Sequence, residues 1–134
     1  MYEAGNAANV RGPARPAVLL VDDDLDNLMR MATVFDERGW ETTLARGAVD
    51  ALKQADVRSF DLVVTEVIMP DKDGIELIIA LKAREPAQAI LAISGGGRLP
   101  AGPVLRLAEG LGAGGSLGKP LCHDALLGLA SSLI

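Results

Sequence analysis

A chain of 134 residues suffices for one domain with a single core, and 49% hydrophobic against 23% charged residues favours a globular protein over a disordered one. Acidic residues outnumber basic ones, 18 to 13, and the Lys and Arg residues are scattered, which argues against binding to nucleic acid or to an anionic membrane. The single cysteine, Cys122, excludes an internal disulfide and a cysteine-rich zinc site. No apolar run approaches the roughly 20 residues of a membrane span, and the N-terminus lacks a signal-peptide core, so we expect a cytoplasmic protein.

The first 16 residues are predicted to form a flexible tail, and residues 17–134 to form the domain. From residue 17 onward, short apolar runs alternate with segments of helical period, which is typical of a parallel sheet covered by helices on both faces. The predicted strands are residues 17–21, 41–45, 61–67, 89–94 and 114–118. We therefore predict an α/β fold of five βα units.

Helix signals fall between the strands. Asp24 is expected to cap the first helix, the second lies near residues 48–55, and Asp73 is expected to cap the third with Glu76 reaching back to it. The residues predicted to face the core in the first helix are Leu25, Leu28, Met29, Ala32 and Phe35, and those in the third helix are Ile75, Ile78 and Ile79. In the fourth helix they are Val104, Leu107, Ala108 and Leu111. In the fifth they are Cys122, Ala125, Leu126, Leu129, Ala130 and Leu133. Leu105 lies off the fourth stripe, so we expect it to be exposed.

Polar residues gather at the carboxyl ends of the predicted strands, where an open parallel sheet keeps its binding site. Asp22 and Asp23 follow the first strand, Glu66 lies within the third, Ser94 ends the fourth, and Lys119 follows the fifth. A buried acid is costly without compensation, and Lys119 is the expected partner of Glu66. Clustered carboxylates suit Mg²⁺, and a lysine and a hydroxyl suit phosphoryl oxygens, so the pattern predicts a metal and phosphate site.

Other motifs carry less chemistry. His123 is expected at the start of the last helix without a catalytic triad around it. The segment "GAGGSLGKP" fails the nucleotide-binding pattern because Ala113 and Pro120 replace its first glycine and its hydroxyl residue. The segment "SGGGRLPAGP", residues 94–103, predicts a mobile loop or, alternatively, a loosely tethered fourth helix that shifts when a partner docks.

The stretches "LLVDDD", "DLVVTEVIMPDKDG", "AIS" and "LGKP", in this order and spacing, resemble the receiver domain of bacterial response regulators over residues 17–134. The resemblance implies a doubly wound, flavodoxin-like (βα)5 fold with strand order 2-1-3-4-5. It also implies an aspartate that takes a phosphoryl group from a histidine kinase, and an acidic pair that holds Mg²⁺.

Site residues follow from the resemblance by position. Asp22 and Asp23 match the acidic pair, Ser94 matches the switch hydroxyl, and Lys119 matches the lysine that contacts the phosphoryl group. The backbone carbonyl of Ile68 matches the main-chain metal ligand.

Two positions depart from the family pattern. Glu66 stands at the phosphoacceptor aspartate, where it would also contribute to the metal set, and Ser116 stands at the aromatic switch residue. The extra methylene of glutamate moves its carboxylate roughly 1.5 Å further out. In-line attack needs reacting atoms about 3 to 3.5 Å apart, so ordinary phosphotransfer is expected to be lost or weakened. The same reach lets Glu66 fill the phosphoryl position near Lys119 and Ser94 as a partial mimic, or form an ion pair that merely stabilises an inert domain.

The resulting hypothesis is a stand-alone atypical receiver that is not an enzyme, acts by binding a histidine kinase or a downstream target, and is a monomer or weak homodimer. Its output surface would be the face of the fourth helix, fifth strand and fifth helix, as in the family. One alternative is a working Mg²⁺-dependent receiver in which Glu66 or Asp71 accepts the phosphoryl group. A metal-dependent phosphatase has less support, because the first strand offers no nucleophilic aspartate beyond the pair already assigned.

Overall fold

The structure is a computed structural model that describes residues 15–71, 73–95 and 101–134. Most of the predicted tail and the glycine-rich centre of the segment 94–103 lie outside the described residues. The strands are β1 (Ala17–Val21), β2 (Glu41–Ala45), β3 (Leu62–Glu66), β4 (Ala89–Ser94) and β5 (Gly115–Gly118). The helices are α1 (Leu25–Glu37), α2 (Ala48–Val57), α3 (Gly74–Arg84), α4 (Ala101–Gly110) and α5 (His123–Leu133). Three predicted strands match at both ends, and β3 and β5 are slightly shorter than predicted.

All five strands run parallel in one sheet with the order β2-β1-β3-β4-β5, which confirms the predicted fold class. The order places β1 and β3 side by side, with Val21 opposite Thr65. The chain reverses its winding between these two strands, so their carboxyl ends flank the crevice in which such sheets bind ligands. Asp22 and Glu66 lie at this crevice.

The two faces of the sheet are covered by different helices. Val18, Leu20 and Val64 pack against α1 and α5, whereas Leu19 and Val63 on the opposite face pack against α2, α3 and α4. Every residue of β1 and β3 is buried, as expected for central strands covered on both sides. Within the described residues, none of the helices is long and apolar enough to cross a membrane.

Two helix caps confirm the predicted starts. The Asp24 carboxylate accepts from the N–H groups of Asp26 and Asn27 at 3.0 and 3.3 Å. The Asp73 carboxylate accepts from the N–H of Glu76 at 3.0 Å. Both aspartates satisfy backbone donors that have no partner within the helix, and so fix where α1 and α3 begin.

The predicted core face of α4 is confirmed at Val104, Ala108 and Leu111, which are buried or half-buried against the core, and is wrong at Leu107. Leu105 is buried at 8% exposure in the cluster that contains Ile90 and Ala108, whereas Leu107 is 55% exposed. The buried stripe is centred on Ala108 and includes Leu105 on its sheet-facing side, which leaves Leu107 toward solvent.

Smaller errors of the same kind occur in three other helices. The residues predicted to be buried but found exposed are Leu25 and Met29 in α1, Ile79 in α3, and Cys122 and Ala125 at the start of α5. Met31, Val34, Leu77 and Leu81 are buried instead. Leucine and methionine occur on both sides of these helices, so their spacing alone gives more than one possible stripe.

Candidate functional site

The ammonium group of Lys119 lies between two carboxylates from neighbouring strands. Its Nζ is 2.9 Å from Oδ2 of Asp22 and 2.8 Å from Oε1 of Glu66. Asp22 is fully buried and Glu66 is 4% exposed, so neither charge is well hydrated. The expected ion pair of Glu66 with Lys119 is therefore present, and Asp22 shares the same cation.

The second oxygen of Glu66 is held by its own chain. Oε2 accepts from the N–H groups of Val67 and Ile68 at 2.8 and 3.1 Å, in the turn that follows β3. Hydrogen bonds to both oxygens explain how a carboxylate is tolerated at the end of a buried strand. Ile68, whose carbonyl was predicted to bind a metal, thus contacts the site through its N–H.

Helix α3 approaches closely behind Glu66. The N–H of Gly74 donates to the carbonyl of Val67 at 2.6 Å. A Cβ atom at position 74 would collide with the backbone carbonyl of Glu66. A glycine is therefore required where α3 begins against the end of β3.

Asp22 is oriented by the start of α1. Its Oδ1 accepts from the N–H of Asp24 at 3.0 Å, and its Oδ2 accepts from Nδ2 of Asn27 at 2.7 Å. Sequence reasoning missed Asn27. Its position in the sequence could have indicated the contact. Asn27 lies three residues after the helix cap Asp24, in the first turn of α1, which lies next to the end of β1.

The pKa of Lys119 reflects opposing effects. Burial of the side chain disfavours the charged ammonium, but hydrogen bonds and charge attraction from Glu66 and Asp22 outweigh burial, and the pKa is raised above 10.5. Lys119 therefore stays protonated at neutral pH and keeps the two carboxylates joined.

Asp23 stands apart from this network, although it follows Asp22 directly. Burial raises the pKa of its carboxyl group, and the charges of Asp22 and Glu66 raise it further against the lowering effects of its backbone hydrogen bond and of Lys119. Asp23 is exposed, so its charge faces solvent at the rim of the site.

The two serines occupy different places. Ser94 is fully buried at the end of β4, and its carbonyl accepts from the N–H of Lys119 at 2.9 Å, which anchors the lysine to the sheet. Ser116 on β5 donates its hydroxyl hydrogen to Oε2 of Glu109 on α4 at 2.5 Å. A polar bond thus joins α4 to β5 at the position where the family pattern has an aromatic ring.

Asp71, the alternative acceptor, contacts a different part of the protein. Its Oδ2 accepts from the N–H of Val49 in the first turn of α2 at 3.2 Å. The cap residue of α2, Gly47, supplies no side-chain hydrogen bond, so Asp71 takes that role. The ion pairs of Lys119 are made with Asp22 and Glu66.

The family model for the response regulator receiver domain matches residues 18–130. The chain belongs to this family. The chain is 33% identical over 117 residues to the transcriptional regulatory protein FixJ of Bradyrhizobium diazoefficiens, a match covering 87% of this chain and 56% of FixJ. It is 34% identical over 77 residues to the transcriptional regulatory protein ZraR of Escherichia coli O157:H7, covering 58% of this chain and 18% of ZraR. The chain thus spans about half of FixJ and a much smaller part of ZraR.

Solved structures agree with the family assignment. The receiver domain of the Francisella response regulator 1452 is 28% identical, with a TM-score of 0.80 over 89% of this chain and 96% of that domain. The chemotaxis protein CheY4 of Vibrio cholerae has a TM-score of 0.82 over 90% of this chain and all of its own, and at 24% identity it supports the fold alone. Receiver domains are signalling modules, generally not enzymes, that interact with histidine kinases and downstream effectors.

Receiver domains generally bind Mg²⁺ at the phosphorylation site, and the predicted ligands here are Asp22, Asp23, Glu66 and the Ile68 carbonyl. In the described parts of the chain, no three His, Cys, Asp or Glu side chains come together as a group that could hold a metal ion. The buried carboxylates of Asp22 and Glu66 accept from protein donors instead. This arrangement does not fit a bound divalent cation.

Proposed function

We propose that this chain is an atypical receiver domain that signals by binding other proteins without a phosphorylation cycle. The observation that carries the proposal is the ion pair between Glu66 and Lys119 at 2.8 Å. By resemblance, Glu66 stands where the family keeps its phosphoacceptor and Lys119 stands where the family contacts the phosphoryl group. A carboxylate therefore lies where a phosphoryl oxygen would be bound.

The environment of Glu66 supports loss of phosphotransfer. One oxygen accepts from Lys119, and the other accepts from the Val67 and Ile68 N–H groups. An attacking oxygen must be aligned about 3 to 3.5 Å from phosphorus, and Glu66 would have to give up these bonds to reach that alignment. The added methylene displaces the carboxylate by roughly 1.5 Å in any case.

A glutamate imitates a phosphoryl group only in part. It carries one negative charge, whereas a phosphoryl group carries nearly two together with three acceptor oxygens. The proposed consequence is a fixed state that resembles phosphorylation weakly, held by Lys119 and presented on the face of α4, β5 and α5. The bond from Ser116 to Glu109 joins two elements of that face, which supports a fixed rather than a switching surface.

The proposed partners are a histidine kinase or a downstream target protein in the cytoplasm, with the receiver itself a monomer or weak homodimer. The net charge of −5 fits protein partners better than nucleic acid or anionic lipid.

The first experiment measures phosphorylation. The protein is incubated with acetyl phosphate and Mg²⁺, and intact mass is recorded for the wild type, Glu66→Gln and Glu66→Asp. The expected result is no added phosphoryl group on the wild type and partial labelling of Glu66→Asp, since aspartate restores the shorter acceptor. A stoichiometric, acid-labile adduct on the wild type that Glu66→Gln abolishes would overturn the proposal in favour of a working receiver.

The second experiment separates a mimic from an inert ion pair. Backbone amide spectra are compared for the wild type and Glu66→Gln, with Glu37→Gln as the control because Glu37 is an exposed residue at the end of α1. A mimic predicts that Glu66→Gln shifts the amides of α4 and β5. Changes confined to the neighbours of Glu66 would show that the pair only stabilises the domain.

A further inference from the structure

The network around Lys119 uses nearly every acceptor position of the two buried carboxylates. Asp22 accepts from the Asp24 N–H, the Asn27 side chain and the Lys119 ammonium. A carboxylate has about four lone-pair positions, so only one remains on Asp22.

Three of the roughly four acceptor positions on the Glu66 carboxylate are occupied as well. It accepts from the Val67 N–H, the Ile68 N–H and the Lys119 ammonium. The three donors include two backbone groups that cannot move away without distorting the turn after β3.

We propose that Lys119 replaces the divalent cation of this family as the positive charge that joins β1 to β3, so that the site is complete without metal. This proposal rests on the proposed function, in which Glu66 does not accept a phosphoryl group. A bridging ammonium does for Asp22 and Glu66 part of what a metal does for two carboxylates: it offsets one of their two negative charges and fixes their separation.

Binding of Mg²⁺ in this arrangement would require a rearrangement with two costs. The ion would have to displace Lys119 from Asp22 or stand beside a half-buried ammonium of the same sign. It would also have to give up tightly held water for ligands that are already hydrogen-bonded, which Mg²⁺ does reluctantly. Asp23 alone keeps a carboxylate toward solvent, and a single exposed acid is a weak ligand for this ion.

Asn27 acts as a positioning residue in this scheme. Its side-chain N–H group holds Oδ2 of Asp22, the same oxygen that contacts Lys119, at 2.7 Å. The amide cannot lose a proton, so it supports Asp22 over the whole pH range in which the carboxylate is charged.

The test compares the wild type with Lys119→Met and with Lys53→Met, a control at an exposed lysine on α2. Thermal unfolding of the full chain is recorded in EDTA and in millimolar MgCl₂. For the wild type and for Lys53→Met, the unfolding temperature of each protein in MgCl₂ is expected to lie within about 1 °C of its value in EDTA. Lys119→Met is expected to gain about 4 °C or more in MgCl₂, because removal of the ammonium opens the carboxylate pair to the metal.

Two results would overturn the proposal: stabilisation of the wild type by Mg²⁺ as large as that of Lys119→Met, or no gain for Lys119→Met. If Lys119→Met does not fold, Mn²⁺ titration of the wild type decides the question by amide relaxation. Selective broadening of Asp22, Val67 and Ile68 at micromolar Mn²⁺ overturns the proposal, and its absence supports it. Metal binding without labelling by acetyl phosphate would reject this inference and leave the proposed function intact.

Discussion

Asp71 caps helix α2: its Oδ2 accepts from the N–H of Val49, 22 residues earlier in the chain, at 3.2 Å. A Cβ atom at Gly47, the residue that precedes α2, would lie 2.6 Å from that same oxygen. The space left by glycine therefore admits the carboxylate of Asp71. The loop after β3, which begins with the turn that holds Glu66, is thereby joined to the start of α2.

Replacing Asp71 with alanine should lower the free energy of unfolding by about 1 kcal/mol, because α2 loses the only side-chain cap found at its first turn in the described structure. Urea unfolding followed by circular dichroism measures the change. Lys53→Ala, at an exposed position in the middle of α2, is the matched control and should change stability by less than about 0.5 kcal/mol. Equal effects of the two variants would show that Asp71 does not cap the helix.

Removing the ammonium with Lys119→Met should cost about 3 to 5 kcal/mol, because two buried carboxylates lose their shared positive partner. Chemical unfolding of this variant and of Lys53→Met at pH 7 provides the comparison. A loss below about 1 kcal/mol would mean that water or other donors replace Lys119 readily.

Alkaline pH should weaken the same interaction reversibly. The pKa of Lys119 is raised in the folded protein above 10.5 because the bonds to Glu66 and Asp22 outweigh burial. Between the unfolded and folded pKa values the native state holds the extra proton, so stability falls as pH rises through this window. Below 10.5 the contribution is fully present.

Unfolding measured from pH 9 to 12 should therefore show a steeper loss for the wild type than for Lys119→Met. The difference between the two proteins isolates this lysine from the other groups that titrate in the same range. Parallel curves would argue against a raised pKa at Lys119.

Neutralising Asp23 should stabilise the protein slightly. Burial and the charges of Asp22 and Glu66 raise the pKa of this carboxyl group, so its ionised form is disfavoured in the native state and stability falls as pH rises through and above 3.8. Asp23→Asn should gain a few tenths of a kcal/mol at pH 7, the small size reflecting solvent screening of an exposed group. The gain should vanish at pH 3, where the wild-type carboxyl group is itself protonated.

The two leucines of α4 offer a direct test of its orientation. Leu105→Ala should cost about 2 to 4 kcal/mol because it leaves a cavity against Ile90 and Ala108. Leu107→Ala removes an exposed side chain and should change stability by less than about 0.5 kcal/mol. The urea midpoints of the two variants measure these losses. A larger loss for Leu107→Ala than for Leu105→Ala would place Leu107 in the core.

Much of this architecture could be predicted from local pattern. Strands buried on both faces form continuous apolar runs, so the spacing predicts both ends of β1 and β4. The edge strand β2 matches its predicted ends as well, although Ala45 is its one buried residue. The parallel order then brought acids and a lysine to one edge, and the pair of Glu66 with Lys119 followed from the cost of a buried charge.

The remaining features depend on tertiary packing. Leu105 and Leu107 have the same chemistry, and the sheet beneath α4 decides which one is buried. The hydrogen bond from Asn27 to Asp22 and the cap that Asp71 gives to α2 require side chains that converge only after the loops have folded. Spacing within one element carries no information about such contacts.

The close approach of Gly74 to the Glu66 carbonyl has a mechanical consequence. The Gly74 N–H also bonds to Val67, so the first turn of α3 and the end of β3 move as one body. A displacement of the Glu66 backbone is therefore expected to displace the first turn of α3 as well. This coupling is a route from the acid to the protein surface that passes through neither Ser94 nor Ser116.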